Sequence, residues 1–290
     1  MIKVGWVGLG AMGAPMAAHL HRAGLLVAVC NRSHAKAERF AAAHAGVLAV
    51  RDPAELPQLC EVVVSAVSAD ADVLGLAHTL AQHADPGLVL IDTSTIAAAS
   101  AEKAAWMLRS HGADFLDCPV SGGVEGAIHG RLSVMAGGEE ETLAEMRPVL
   151  DCFAARVTHM GPVGAGQSSK AVNQVLVAGI AAAVCEGLAL GEALGLPRER
   201  LLPTLLGGAA QCWFLDKRGE SMLDNRFELG FKLSLLCKDL GIVQALATAA
   251  GVDHSVVDKA LADYTELQRR GHGNEDISAL IRLKRRSEDR

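Results

Sequence analysis

Near the N-terminus, Gly8-Leu9-Gly10-Ala11-Met12-Gly13 places glycine at the first, third and sixth positions of a six-residue stretch. That spacing suits a backbone that must turn sharply at Gly8, approach a pyrophosphate at Gly10 and pack a helix close to a strand at Gly13. The helix start adds unpaired N–H groups and a positive dipole end for the phosphates, and Leu9 and Met12 join the glycines as expected cofactor contacts. Such a fingerprint is weak alone. Here it follows a strand pattern, opens a helix and reaches a second strand within about 30 residues, the context it requires. Where that second strand ends, at the adenosine ribose, the chain reads Cys30-Asn31-Arg32-Ser33 and offers no Asp or Glu. An acidic residue would hold the 2′-hydroxyl of NAD, whereas Arg pairs with a 2′-phosphate. Asn31, Arg32 and Ser33 are therefore expected at the cofactor, and NADP is expected over NAD. The competing reading makes Arg32 an ordinary surface residue and leaves NAD held by other contacts.

The elements that must position this loop can be read around it. Residues 2–7 and 25–30 are rich in strand formers, and Ala11 to Ala23 between them reads as a helix stopped by Gly24. Val62 to Val67, Leu88 to Asp92 and Phe115 to Asp117 are further strand candidates, separated by Ala-rich stretches such as Ala97 to His111. Strands alternating with helices predict a doubly wound parallel sheet of Rossmann type. From Gln167 to Leu194 the chain is Ala-, Val- and Leu-rich without proline, which predicts one long helix. Helices over Arg198–Leu206, Lys232–Ala250 and Ser255–Arg269 then make the second half all-α. The turn-forming Gly161-Pro162-Val163-Gly164-Ala165-Gly166 marks the boundary. The expected domains are 1–163, binding the dinucleotide, and 164–290, a helical domain for substrate and oligomerisation, joined by the long helix.

Composition narrows the function classes. The chain has 290 residues, half of them hydrophobic, and a formal net charge of −6, which disfavours general nucleic-acid binding. The one basic cluster, Arg282 to Arg286, reads as a solvated helix end. Seven scattered cysteines, Cys30, Cys60, Cys118, Cys152, Cys185, Cys212 and Cys237, form no C-x-x-C pair and suggest neither a zinc site nor a disulfide framework. The apolar runs look too broken to give the roughly 20 residues of a membrane span. The first residues enter a strand pattern directly, without a signal peptide. A soluble cytoplasmic protein is expected.

With these segments in order, the chain resembles the β-hydroxyacid dehydrogenase family. The resemblance covers essentially the whole sequence. Five motifs carry it: the glycine turn, Asp92-Thr93-Ser94-Thr95-Ile96, Asp117-Cys118-Pro119-Val120-Ser121-Gly122-Gly123, Gly164-Ala165-Gly166-Gln167-Ser168-Ser169-Lys170-Ala171-Val172-Asn173-Gln174, and Lys238-Asp239-Leu240-Gly241. It implies hydride transfer between nicotinamide and C3 of a small 3-hydroxy acid, or reduction of the corresponding semialdehyde. The hydroxyl proton then needs a base within hydrogen-bond reach, and the family's lysine matches Lys170. A lysine serves as base where burial or a neighbouring cation favours the neutral amine.

The resemblance also implies that Ser121, Gly122 and Gly123 meet the substrate carboxylate through a hydroxyl and glycine-exposed N–H groups. Thr95 and Lys238 match cofactor contacts, with Asp239 holding the latter, and Trp213 lies where relatives place a substrate-facing side chain. Asn173 and Gln174, three and four residues after Lys170, share its helix face and are expected at the substrate. Two departures stand out: Gln174 where many relatives have Asn, and Val67-Ser68 where many have Leu-Pro beside the nicotinamide ribose. Val67 and Ser68 remain expected cofactor contacts. The expected partners are a small carboxylate-bearing substrate and copies of the chain, as a homodimer or homotetramer, with no nucleic acid and no membrane. Two alternatives compete. Related imine reductases combine a similar nucleotide domain and long helix but lack this lysine, and a non-catalytic NADP-binding module would have no use for it.

Overall fold

The computed structural model describes residues 2–83 and 85–285; Arg286, the last residue of the basic cluster, lies outside them. Two compact units divide at Met1–Lys170 and Ala171–Arg290.

The first unit alternates strand and helix: β1 (Val4–Val7), α1 (Gly13–Arg22), β2 (Leu26–Cys30), α2 (His34–Ala43), β3 (Leu48–Val50), β4 (Val62–Ser65), α3 (Asp70–His83), β5 (Val89–Asp92), α4 (Ala98–Arg109) and β6 (Asp114–Asp117). There follow β7 (Val120–Ser121), α5 (Gly123–Ile128), β8 (Leu132–Gly137), α6 (Glu140–Leu150) and β9 (Ala154–Gly161). The order across the sheet begins β3-β2-β1-β4-β5-β6, all parallel. This is the doubly wound order that reverses between β1 and β4, where dinucleotides bind at the carboxyl ends of the strands. β1, β4 and β5 are buried along their whole length, because helices cover both faces of a parallel sheet and leave no polar side. The sheet is not parallel throughout. β8 runs antiparallel to β6 and β7, and β9 returns parallel to β8. Two apolar layers result, one around Trp6, Met16 and Phe153 and the other around Leu56, Leu80 and Phe115.

The turn-rich stretch after β9 leads directly into α7 (Ala165–Ala193). The second unit continues with α8 (Arg198–Leu206), α9 (Trp213–Leu223), α10 (Leu233–Ala250), α11 (Ser255–Leu267) and α12 (Ile281–Lys284). On α7 the core side is made mainly of small residues, Ala171, Ala178, Ala181, Cys185 and Ala189, which let neighbouring helices approach closely. One expectation needs correction: α7 and α10 are each long and apolar enough, by length and composition, to cross a membrane. The polar and glycine interruptions that seemed to break these runs are short, such as Glu186-Gly187 in α7 and Lys238-Asp239 in α10, and a helix carries them without ending. Both helices contribute a face to the core of the helical unit.

Inside that unit one ion pair is nearly dry. Arg218 Nε lies 3.5 Å from Asp276 Oδ1, with side-chain exposures of 10% and 1%. Asp276 also accepts the backbone N–H groups of Gly230 at 2.9 Å, Phe231 at 2.7 Å and Ser278 at 2.9 Å. Removing the cation leaves a buried carboxylate whose charge is uncompensated. Arg218→Ala should therefore cost about 3–5 kcal/mol, read as a shift of the urea midpoint; a change below about 1 kcal/mol would show that the pair carries little.

Candidate active site

The glycine loop lies where β1 hands over to α1. Gly8 has φ 97°, and a Cβ on it would sit 2.3 Å from the Ala66 carbonyl oxygen. A Cβ on Gly13 would sit 2.0 Å from the Gly8 oxygen, whereas one on Gly10 would meet nothing within 4 Å. Two glycines are thus demanded by the protein's own packing, and the middle one opens onto space. That is the shape a pyrophosphate requires, so the residues present fit a dinucleotide. Asn31 fastens the loop to the end of β2: its Oδ1 accepts Leu9 N–H at 2.8 Å and its Nδ2 donates to the Ser33 carbonyl at 3.0 Å. Met12 is half-buried, and Ser33, exposed, stands at the N-cap of α2. Arg32 projects into solvent, 90% exposed, with Asp72 Oδ1 3.9 Å away. Exposed pairs of this kind contribute below about 1 kcal/mol, so the guanidinium is easily turned toward another anion.

At the ends of β4 and β5 a set of short bonds replaces side-chain bulk. Asp92 Oδ1 accepts the Ser65 hydroxyl at 2.7 Å and the Ser94 hydroxyl at 2.6 Å, and Ser94 Oγ in turn accepts Val67 N–H at 2.9 Å. Val67 is half-buried and Ser68 exposed. Thr95 follows, between two residues gripped by one carboxamide. Gln167 Nε2 donates to the Ser94 carbonyl at 2.8 Å, and Gln167 Oε1 accepts Ile96 N–H at 3.1 Å.

Gln167 belongs to the first turn of α7, whose start is held by Asp117 at the end of β6. Asp117 Oδ1 accepts Gly164 N–H at 2.9 Å and Oδ2 accepts Gln167 N–H at 2.8 Å. A Cβ on Gly166 would lie 2.5 Å from the carbonyl oxygens of Asp117 and Met135, so the helix can start this close to the strands only without a side chain there. Burial pushes the Asp117 carboxyl up to about 6, against the two N–H groups that favour its anion, and the neighbouring Asp92 charge adds to the rise. Desolvation outweighs capping.

One turn further along α7, Lys170 is 7% exposed, and its Nζ donates to the Val120 carbonyl at 2.9 Å. The ammonium is thereby fixed against the residue that precedes Ser121. β7 holds Ser121 opposite Ser133 of β8, and Gly122 and Gly123 follow at φ 136° and 67°, turning the chain into α5. The structure thus brings Lys170 beside the Ser121-Gly122-Gly123 segment.

Within the helical unit, Asn173 Nδ2 donates to Gln174 Oε1 at 2.8 Å, and Gln174 Nε2 donates to Asp239 Oδ2 at 2.7 Å. Asp239 Oδ1 pairs with Lys238 Nζ at 3.0 Å. Gln174 is 1% exposed, so its carboxamide serves as a link between Asn173 and the Lys238–Asp239 pair. Trp213 is 49% exposed, with the Arg218 guanidinium 5.6 Å from its ring centroid.

Sequence reasoning missed Ser65 and gave no role to Asp92, Ser94, Asp117 and Gln167, although all four lie inside the motifs that carry the family resemblance. A faint signal existed, since Asp92 and Asp117 each close a strand, where a carboxylate must find donors. Nothing in the sequence said which donors.

A loop shaped for a pyrophosphate at the strand ends of a doubly wound sheet, with a buried lysine beside a Ser-Gly-Gly turn, defines a dinucleotide-binding fold with a candidate reaction site. Residues 3–161 match the model for the NAD binding domain of 6-phosphogluconate dehydrogenase, and residues 164–284 match the model described as NAD-binding of NADP-dependent 3-hydroxyisobutyrate dehydrogenase. The chain is 34% identical to an NAD-dependent L-serine dehydrogenase of Pseudomonas aeruginosa over 98% of both chains. It is 30% identical to the 2-hydroxy-3-oxopropionate reductase of Escherichia coli, covering 97% of this chain and 96% of that one. A solved structure of Mycobacterium tuberculosis 3-hydroxyisobutyrate dehydrogenase with L-serine superposes with a TM-score of 0.88 at 33% identity, covering 99% and 100% of the two chains. The chain belongs to the β-hydroxyacid dehydrogenase family, as NAD(P)-dependent oxidoreductases acting on the CH–OH group of hydroxy acids.

Asp117 gives this site a pH signature. Its pKa rises on folding from 3.8 to about 6, so folding favours the protonated form. Its contribution is full below pH 3.8 and is lost as pH rises through about 6, a span worth about 3 kcal/mol. Compared with Asp117→Asn, which cannot ionise, the parent should lose up to about that much between pH 4 and pH 7 in urea denaturation. A difference that stays constant across those pH values would mean that the group ionises normally.

Proposed function

We propose that the chain is an NADP-preferring 3-hydroxyacid dehydrogenase, acting as a reductase of a short semialdehyde acid, with Lys170 as its general acid and base. The observation that carries the proposal is the buried Lys170 ammonium held at 2.9 Å on the Val120 carbonyl, next to Ser121-Gly122-Gly123. In reduction the Lys170 ammonium donates a proton to the emerging alkoxide oxygen; in oxidation its neutral amine takes the hydroxyl proton. Ser121 Oγ and the glycine N–H groups bind the carboxylate, so an alcohol or aldehyde lacking that group should be a poor substrate. Bound nicotinamide supplies or accepts the hydride. Thr95, Val67, Ser68 and Lys238 are assigned to cofactor contact, and Asn173 and Trp213 to the substrate; Gln174, expected there from its spacing, is buried and bonded to Asn173 and Asp239, so it acts by holding Asn173.

The relatives' names support this chemistry. L-Serine, 3-hydroxyisobutyrate and 2-hydroxy-3-oxopropionate each combine a carboxylate with a hydroxyl or aldehyde carbon at C3. Arg32 and the lack of an acid at the end of β2 favour NADP, while the Pseudomonas relative is named for NAD. We place the activity in the cytoplasm.

A panel of 3-hydroxy acids and aldehyde acids with both cofactors tests the reading. Lys170→Ala should lower kcat on the order of 10²–10⁴-fold, the usual contribution of a general acid or base, and retention of activity within a few-fold would remove the lysine from that role. Arg32→Ala should raise KM for NADP far more than for NAD. A parental preference for NAD of tenfold or more would overturn the cofactor assignment.

We also propose that the chain self-associates through α7. Val172, Leu176, Ile180, Leu190 and Leu194 are exposed by 64%, 62%, 39%, 58% and 65%. At about 100° per residue they fall within about 80° of one another around the helix axis. An uncharged stripe of this length on one helix suits the same stripe on a second copy. Light scattering should give a dimer or tetramer for the parent and a smaller species for Leu176→Glu; a monomeric parent would sink the idea.

A further inference from the structure

We infer that Gln167 is a positioning residue for the redox step, its single carboxamide locking the backbone on both sides of Thr95 to the helical turn that carries Lys170. The inference rests on the roles of Thr95 and Lys170 proposed above.

Gln167 is 3% exposed and is fixed at three points. Its backbone N–H donates to Asp117 Oδ2 at 2.8 Å, its Nε2 donates to the Ser94 carbonyl at 2.8 Å, and its Oε1 accepts Ile96 N–H at 3.1 Å. The Ser94 hydroxyl is itself tied to Asp92 at 2.6 Å and to Val67 N–H at 2.9 Å, so the segment gripped by Gln167 cannot slide. Lys170 lies three residues on, on the same helix face, and its Nζ has its own fixed point on the Val120 carbonyl. A covalent path of one helical turn therefore separates the group that sets the Thr95 segment from the group that moves the proton. The path is stiff.

Hydride transfer and proton transfer must meet at one substrate carbon and its oxygen. Reacting atoms need to approach to about 3–3.5 Å, and a displacement of about 1 Å costs on the order of 10²-fold in rate. Both groups held by Gln167 are main-chain groups, so its two bonds do not depend on the side chains of Ser94 and Ile96 and are removed only by changing Gln167 itself. A glutamate in its place keeps the acceptor for Ile96 N–H but, when ionised, has no proton to donate to the Ser94 carbonyl. Protonated, it regains that donor.

The test uses Gln167→Ala, Gln167→Glu, Lys170→Ala and the double variant Gln167→Ala/Lys170→Ala. Each is assayed per active site, with sites counted by NADP binding. Gln167→Ala should lower kcat roughly 10–100-fold, within the range that misplacement produces, and leave KM for the acid within about threefold. Relative to the parent at each pH, Gln167→Glu should recover activity as pH falls. A residue that only stabilised the fold would reduce the number of active sites and leave that ratio flat. If the two residues act through one geometry, the double variant should be no more than about threefold slower than Lys170→Ala.

Three results would overturn the inference while Lys170→Ala remains slow: a kcat for Gln167→Ala within threefold of the parent, a flat ratio for Gln167→Glu, or a double variant slowed by the product of the two single effects. A Lys170→Ala variant with near-parental kcat would instead overturn the lysine assignment itself, and the Gln167 inference with it.

Discussion

A helix that begins inside a protein core must find acceptors for its first N–H groups, because no water reaches them. α7 begins among β6 and β8, and Asp117 meets that requirement with both carboxylate oxygens. Much of the candidate site depends on this capping bond. The end of β6 fixes the first turn of α7, that turn fixes Gln167, and Gln167 fixes the segment through Thr95. Lys170 is the next residue of α7 to point back to the strands, where the Val120 carbonyl receives it.

The arrangement places two buried carboxylates, Asp92 and Asp117, at the carboxyl ends of adjacent parallel strands. This is the edge of a doubly wound sheet at which ligands bind, and it is costly ground for negative charge. Asp92 is compensated by serine hydroxyls and Asp117 by helix N–H groups. The compensation is incomplete for Asp117, whose pKa still rises to about 6. The strand ends thus trade some stability for a framework in which backbone segments, rather than mobile side chains, are set in place.

Cofactor and substrate functions rest on different kinds of structure. The glycine loop is main chain shaped by close packing, and it would accept any dinucleotide's pyrophosphate. The choice between NADP and NAD, in our reading, falls to one solvent-exposed side chain, Arg32, loosely paired with Asp72. Lys170, to which we assign the proton, is the opposite case, buried and directed by a backbone carbonyl. In the helical unit Gln174 has become an internal link, joining Asn173 to the Lys238–Asp239 pair.

The sequence alone determined the features that depend on local pattern. Glycine spacing located the close-packed turn between β1 and α1, alternation of strand and helix gave the doubly wound sheet, and the proline-free stretch after Gly166 gave α7 nearly to its ends. Family motifs pointed to Lys170 and Ser121. The antiparallel β7 and β8 were not legible, since two- and six-residue strands carry too little periodicity to separate from turns. Nor were the apolar lengths of α7 and α10, because one or two polar residues interrupt a run in sequence without interrupting a helix. Tertiary structure decided everything that needed a partner from afar. Asp117 and Gln167 are 50 residues apart, and Gln167 and Ser94 are 73 apart. Hydrogen bonds over such distances leave no periodic trace, because side-chain type records the capacity to donate or accept and only the fold selects the partner.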